Sequence, residues 1–367
     1  MNVLYDHQTF SLQTYGGISR YHTELIANIN LSVKNKATLS LLFSNNNHLE
    51  EARLLKRNFF ANSDFPKKRE LMYKLNKIYS ELILCRNNFD IFHATDYDVY
   101  FLDYLKDKPF VVTLHDMIHE RFMGRYDELK DVSEVIKNKR LLAHRADAVI
   151  AVSESTKKDI VDLLNIDPAK IHVVHLASSF KPQLKISASA QTEPYLLYVG
   201  KRGAYKNFAY LLESITPLLK SNRLTLRCAG GGAFTPEEKV LIRQLNVEQH
   251  LDYRGVNNDK DLQSLYQAAL AFIFPSLYEG FGIPVLEAFS CKCPCILSNS
   301  GSLPEVGGNA AVYFDPTDQE SIYRAVQQVI TDSDLRCDLV TKGDRRLQNF
   351  SWNRTVNKTL EVYKTCI

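Results

Sequence analysis

Two carboxylates, two glycines and a proline gather in one short segment, Phe274-Pro275-Ser276-Leu277-Tyr278-Glu279-Gly280-Phe281-Gly282-Ile283-Pro284-Val285-Leu286-Glu287-Ala288. It opens at the end of an apolar run, turns through Gly280 and Gly282, and starts a helix with Pro284 in the first turn, where proline is favoured. A helix opening there aims the backbone N–H groups of Phe281, Gly282 and Ile283 outward, where the helix dipole favours an anion. Glu279 lies just before this turn and Glu287 about one turn into the helix. Two carboxylates beside an anion-binding turn are wrong for phosphate alone. They suit a ligand that also carries hydroxyls, because a carboxylate can accept two hydrogen bonds from a diol. The plainer alternative makes Glu287 a partner of the helix dipole and Glu279 a solvated loop residue.

The elements that must hold this segment are legible as short apolar, β-branched runs separated by helical stretches. Residues 110–114, 148–152, 171–174, 195–199, 224–229 and 270–274 read as buried strands. Ser153 and Thr156 can cap a helix running to Leu164. Strand–helix alternation over this length argues for an α/β fold with parallel sheets and helices on both faces. At 367 residues the chain is long enough for two domains. Residues 181–194 (KPQLKISASAQTEP) are polar and carry two prolines, which marks a linker between nearly equal halves. The expected division is therefore 1–180, a linker at 181–194, 195–348, and a C-terminal helix at 349–367 that can return to the first domain. Ligands of open parallel sheets sit at the carboxyl ends of the strands. Two such domains facing across a cleft would place a ligand between them.

Other residues are candidates on their own chemistry. Gly16 and Gly17 follow the first strand; a backbone without Cβ can approach a phosphate closely and tolerates positive φ, although any tight turn uses glycine too. His115-Asp116 should sit at the carboxyl end of the 110–114 strand; the alternative is a histidine satisfied within a polar loop. His93 ends another apolar run and is as well explained by structure as by function. Cys291, Cys293 and Cys295 alternate along one strand, which gives poor tetrahedral geometry, so small buried side chains are expected rather than a metal site.

The formal net charge of +3 gives no argument for nucleic acid. Arg53, Lys56, Arg57, Lys67, Lys68, Arg69, Lys74 and Lys77 nevertheless crowd one stretch. This is either a solvated helical face or a surface that meets anionic lipid head groups. The start, Met1-Asn2-Val3-Leu4-Tyr5-Asp6, has no basic region followed by a long apolar run, and no apolar stretch approaches membrane-spanning length. Seven cysteines show no framework spacing. The expectation is a cytoplasmic protein with reduced thiols, peripheral at most on the inner face of a membrane.

The spacing of Glu279 and Glu287 around Gly-Phe-Gly-Ile-Pro resembles the signature of retaining glycosyltransferases of family 4, which have the GT-B fold. The resemblance continues at residues 198–207 (YVGKRGAYKN), 300–306 (SGSLPEV) and 311–316 (AVYFDP). It also covers 15–21 (YGGISRY) and 113–116 (TLHD), so it spans essentially the whole chain. It implies two Rossmann-like domains, the first on the acceptor side and the second binding the nucleotide sugar. By resemblance Glu279 would contact hydroxyls of the transferred sugar, Glu287 the ribose, and the backbone from Phe281 through Gly282 and Ile283 to Pro284 the sugar and diphosphate. Lys206 would neutralise the diphosphate with a second cation, for which Lys201 and Arg202 are both available and Arg202 is favoured for its planar fork. Gly16 and Gly17 would face the donor, and His115 would touch the sugar near the reacting carbon.

The implied reaction is front-face displacement without a protein nucleophile, and no metal or other cofactor is expected. Asp96-Tyr97-Asp98 has the spacing of a metal-binding D-x-D motif without the surroundings of one. Among relatives of this kind the pattern is most like bacterial O-antigen and capsule mannosyltransferases. That implies GDP-mannose, or else a UDP-sugar, as donor and a glycan or lipid-linked acceptor. The alternatives are a nucleotide-sugar epimerase, a sugar-phosphate synthase, or a non-catalytic nucleotide-sugar-binding subunit. A dinucleotide-dependent dehydrogenase is disfavoured, because neither glycine loop is G-x-G-x-x-G.

Overall fold

The computed structural model describes residues 1–54, 57–126, 129–130, 132–180, 193–256 and 258–367. Residues 181–192 of the expected linker and Lys56 of the basic stretch lie outside these. The chain forms two compact units, Met1–Leu176 with Trp352–Ile367, and Ala177–Ser351.

The first unit is built on β1 (Asn2–Tyr5), β2 (Lys36–Leu39), β3 (Ile91–Ala94), β4 (Phe110–Leu114), β5 (Ala148–Ala151) and β6 (Ile171–Val173). These form one parallel sheet in the order β2-β1-β3-β4-β5-β6. The second unit holds β7 (Tyr195–Val199), β8 (Thr225–Ala229), β9 (Leu251–Arg254), β10 (Ala271–Phe274), β11 (Cys295–Ser298) and β12 (Ala311–Phe314). Its sheet is also parallel, ordered β12-β11-β10-β7-β8-β9. Every residue of β3, β4, β5, β10 and β11 is buried, as a sheet covered by helices on both faces requires. Two Rossmann-like units result, and the strand ends fall within a residue of the apolar runs that announce them.

The sheet order locates the binding end of the second unit. From β7 the chain steps outward through β8 to β9, then returns to the other side of β7 with β10. A doubly wound sheet opens a crevice at such a reversal, at the carboxyl ends of its two central strands. The loops leaving β7 and β10 carry Lys206 and Glu279. In the first unit the reversal lies between β1 and β3.

Capping chemistry sets the helix starts. Ser153 accepts a hydrogen bond from the Thr156 amide and opens the Glu154–Leu164 helix. Thr235 and Glu238 form a reciprocal capping box on Pro236–Gln244. Cys291, Cys293 and Cys295 are buried, and burial pushes the Cys291 thiol up to about 12 and raises that of Cys295.

The last helix, Trp352–Cys366, packs into the first unit. Its Thr355 hydroxyl donates to the carbonyl of His175 at 2.8 Å, and its Tyr363 hydroxyl lies 2.6 Å from that of Tyr5 and 2.5 Å from His93 Nδ1. His93 Nε2 is 2.9 Å from the Thr113 hydroxyl. His93 is thus wholly buried with both ring nitrogens engaged, which favours the structural of its two explanations. Tyr363→Phe strands two buried partners, and the expected loss is about 1–3 kcal/mol of stability in urea unfolding. An unchanged midpoint would mean that Tyr5 and His93 find other partners.

Candidate active site

Glu279 sits in the loop from β10 to the Ile283–Ser290 helix, and four hydrogen bonds fix that loop. The Ser302 hydroxyl lies 3.0 Å from the carbonyl of Glu279 and 2.7 Å from that of Phe281. The Leu277 amide donates to the carbonyl of Tyr205 at 2.8 Å, and the Ser298 hydroxyl to that of Ser276 at 2.6 Å. Gly301, at φ +60°, comes so close that a Cβ there would lie 2.9 Å from the Glu279 carbonyl oxygen. Gly282, at φ +100°, makes the turn into the helix, which no side chain caps. Ile283 and Pro284, partly exposed, form its first turn, so the positive end of the dipole faces outward beside Glu279.

Lys206 reaches this carboxylate from the loop after β7. Its Nζ lies 2.6 Å from Glu279 Oε1, with little solvent on either side chain, and 5.6 Å from the centre of the Phe274 ring. Asn207, in the left-handed conformation, ends that loop and ties it to the carbonyl of Pro316 at 2.8 Å. Glu287 emerges from the helix, partly exposed, with its Oε2 accepting from the Tyr266 hydroxyl at 3.2 Å. The second unit therefore brings Lys206, Glu279, Glu287 and the helix start together: a cation, two carboxylates and backbone dipoles.

Arg202 has a different occupation. It is buried, and its Nε donates to Glu238 at 2.9 Å while its terminal nitrogens donate to the carbonyls of Gly230, Gly232 and Ala233. That geometry contradicts its expected place on the diphosphate. The planar fork holds the glycine turn after β8, where a Cβ on Gly231 would lie 2.5 Å from the Gly200 carbonyl. Lys201 is exposed, and among the described residues no hydrogen bond or ion pair engages its side chain. It is the cation the loop leaves available.

In the first unit, Gly16 caps the Gly17–Ile29 helix with extended backbone (φ 168°), and neither Gly16 nor Gly17 takes a left-handed conformation. The space a Cβ would need at Gly16 is taken by Gln13, whose Oε1 accepts from the Ser19 amide at 3.3 Å. The glycine here makes room for a helix cap. His115 follows β4, edge-on to Tyr21 at 5.1 Å between ring centres, and its Nε2 is buried without a hydrogen-bond partner among the described residues. Burial holds its pKa down at about 4, so the ring is neutral near pH 7 and can donate or accept one hydrogen bond. Asp116 is held by Lys139. Lys139, almost fully buried, lies 3.7 Å from Asp116 Oδ1 and 3.3 Å from Glu120 Oε2, and donates to the Asp116 carbonyl at 3.0 Å.

Residues 179–346 match the family "Glycosyl transferases group 1" and residues 16–177 match "Glycosyltransferase Family 4". The chain is 31% identical over 273 residues to an O-antigen chain mannosyltransferase B of Escherichia coli, covering 69% of this chain and 70% of that one. The chain belongs to glycosyltransferase family 4.

An alpha-maltose-1-phosphate synthase of Mycobacterium tuberculosis is 28% identical over 293 residues, 71% of this chain and 74% of that one. Among solved structures, an Anabaena protein in complex with UDP and glucose superposes over 100% of both chains with a TM-score of 0.75 at 16% identity. The fold of this glycosyltransferase is GT-B, and the chain is a transferase enzyme. Three positioning groups had no signal as site residues in the sequence. Ser302 and Gly301 stand in a family loop but act on the Glu279 backbone, and Tyr266 lies 21 residues before the carboxylate it touches. Lys139, a charged residue in the Ser133–Arg145 helix, gives no sign of burial in the sequence.

Two outcomes follow. Arg202→Ala removes a buried cation from Glu238 and three carbonyls and is expected to cost about 3 kcal/mol in urea unfolding, whereas Lys201→Ala leaves stability unchanged; equal stabilities would refute the assignment. The glycosyltransferase should also weaken in acid through its first unit. His7 and His93 are held at about 3, His115 at about 4, and His22 well below its usual value, all chiefly by burial. The unfolded chain takes up these protons near pH 6.5 and the native state does not, so stability is present above that pH and lost below it. His119 and His172 are also lowered by burial; Asp96, raised by burial to about 6, and Asp6 and Glu120, also raised by burial, oppose this, but six groups outnumber three. His250 is the one histidine of the second unit. Calorimetry between pH 7.5 and about 5.5 should show the first unit's transition falling by a few kcal/mol while the second moves less.

Proposed function

We propose that this glycosyltransferase moves a hexose, mannose in the favoured reading, from a nucleotide-diphosphate donor to a glycan or lipid-linked acceptor in surface polysaccharide synthesis, with retention of anomeric configuration. The observation that carries the reading is the Lys206–Glu279 pair beside an uncapped helix start at the reversal of the second sheet. A nucleotide sugar presents a negative diphosphate next to sugar hydroxyls, and this pair presents a cation next to a hydrogen-bond acceptor. On binding, Lys206 turns its charge to the diphosphate and Glu279 its lone pairs to the sugar diol, while Glu287, steadied by Tyr266, accepts from the ribose. In the step itself the bond from the anomeric carbon to the diphosphate oxygen breaks as the acceptor oxygen bonds on the same face. The acceptor proton passes to the departing diphosphate. Lys206, Lys201 and the helix start hold the charge that develops there, so the reading needs no divalent metal.

The E. coli relative supports mannose and hence GDP-mannose, and the Anabaena complex supports a uridine donor as the second choice. The mycobacterial relative favours a second reading, in which the acceptor is a sugar phosphate. A thermal-shift screen against GDP, UDP, ADP and dTDP and their sugars identifies the donor, because a ligand at 100 times its Kd stabilises by about 2.7 kcal/mol. Labelled donor is then offered with a lipid-linked glycan or a hexose 1-phosphate. Label entering the lipid fraction supports the first reading, and label in a soluble sugar phosphate the second. Glu279→Gln should lower kcat by about 100-fold with an unchanged melting temperature; near-wild-type transfer would take Glu279 out of the site.

A further inference from the structure

The helix Lys68–Cys85 buries two polar groups on its inward face and leaves a line of aliphatic groups outside. Its buried face carries Met72, Asn76, Ser80 and Leu84. Asn76 is fully satisfied there: its Oδ1 accepts from the amides of Leu42 and Phe43, and its Nδ2 donates to the Ser11 hydroxyl and the Phe43 carbonyl. Ser80 lies 2.6 Å from the Ser40 hydroxyl and accepts from Tyr100 at 2.7 Å. The outer face carries Leu71, Ile78 and Leu82, exposed by 43%, 56% and 58%. At about 100° per residue, spacings of 7 and 11 put these three within about 20° of one line, and at about 1.5 Å per residue they run for about 16 Å. Lone exposed leucines are ordinary, but an aligned aliphatic stripe opposite buried amide and hydroxyl groups is not.

The surroundings of the stripe are basic. Between residues 57 and 78 there are six Lys and Arg against two acids, Asp64 and Glu70. Lys68 is tied to the carbonyls of Phe60 and Ser63, and Lys77 to Asp98 at 3.6 Å. Arg57, Lys67, Arg69 and Lys74 remain exposed. Lys74 stands about 60° from the stripe, while Glu70 and Glu81 stand about 80–100° from it. Phe60, 58% exposed, lies in the segment that leads to the helix. No helix of the described residues is long and apolar enough to cross a membrane. A narrow aliphatic line flanked by cations matches the boundary between acyl chains and anionic head groups.

We propose that the Lys68–Cys85 helix docks the enzyme on an anionic lipid surface, with Leu71, Ile78 and Leu82 entering the acyl boundary and Arg57, Lys67 and Lys74 on the phosphates. This deepens the lipid-linked acceptor reading by bringing the first unit to the surface where such an acceptor lies. It rests on this helix alone and does not depend on the donor.

The test is co-sedimentation of the full chain with phosphatidylcholine vesicles, with and without phosphatidylglycerol. Two variants accompany the wild type, one combining Leu71→Ser, Ile78→Ser and Leu82→Ser, the other Lys67→Glu and Lys74→Glu. All the replaced side chains are exposed, and circular dichroism checks the fold. The expected result is binding only to phosphatidylglycerol vesicles, weakened at least about tenfold in each variant. Variants that bind as the wild type does, or a wild type that binds no vesicle, overturn the proposal. So does a wild-type dimer in sedimentation velocity that the serine variant dissociates, since the stripe would then be a contact between copies. Nucleotide release from the donor, measured without vesicles, reads the transferase activity separately, so failure of one proposal is not mistaken for failure of the other.

Discussion

A lysine and a glutamate held 2.6 Å apart, each with little access to water, are the constraint on which the second unit depends. Their attraction is not what holds the fold together, since an ion pair at the edge of a protein contributes modestly. The fold instead holds the pair. Lys206 comes from the loop after β7 and Glu279 from the loop after β10, strands 72 residues or more apart in sequence but neighbours in the sheet. Gly301 and Ser302, from the loop after β11, press on the Glu279 backbone; the Tyr205 carbonyl ties the two loops directly. Charges fixed this way need little reorganisation when a charged ligand replaces one partner, which is the condition under which electrostatic stabilisation is strongest.

The first unit solves the opposite problem. Its centre is polar and dry: Tyr5, Tyr363, His93, Thr113 and Tyr21 form one chain of hydrogen bonds between the sheet and the last helix. Burial keeps His22 and His93 neutral, and His115, at the edge of the same cluster, shares that state. A neutral, partly unsatisfied imidazole is suited to a neutral hydroxyl rather than to a phosphate. Returning the C-terminal helix to this unit is part of the design, because its Tyr363 completes the chain.

Much of the fold was legible because parallel strands buried on both faces leave an unbroken apolar run, as at 110–114 and 271–274. Strands with exposed positions, such as β9, left no comparable trace. The order of the strands was not legible, since it follows from helices crossing the sheet rather than from any run. At the site, Glu279 and Glu287 were singled out by their types and spacing, and Lys206 by the family resemblance alone. The choice between Lys201 and Arg202 was not readable. Adjacent residues in a loop point different ways, and what turned Arg202 inward is a glutamate and three carbonyls 28 to 36 residues further on. Planarity, which recommended Arg202 for a diphosphate, equally suits a fan of backbone carbonyls.

The Lys68–Cys85 helix shows the same limit from the other side. A 3.6-residue period reports that one face differs from the other, and the usual inference puts the apolar face inward. Here the inward face holds Asn76 and Ser80 beside Met72 and Leu84, and Asn76 makes four hydrogen bonds to loops and to Ser11, so its amide is buried without being unpaired. Leu71, Ile78 and Leu82 lie on the opposite face, exposed. The basic stretch alone left a solvated face and a lipid-facing surface equally open, because charge clusters serve both. The aliphatic line beside the cations is what the proposal of a lipid-facing surface adds: Leu71, Ile78 and Leu82 supply the apolar groups that such a face needs beside its positive ones.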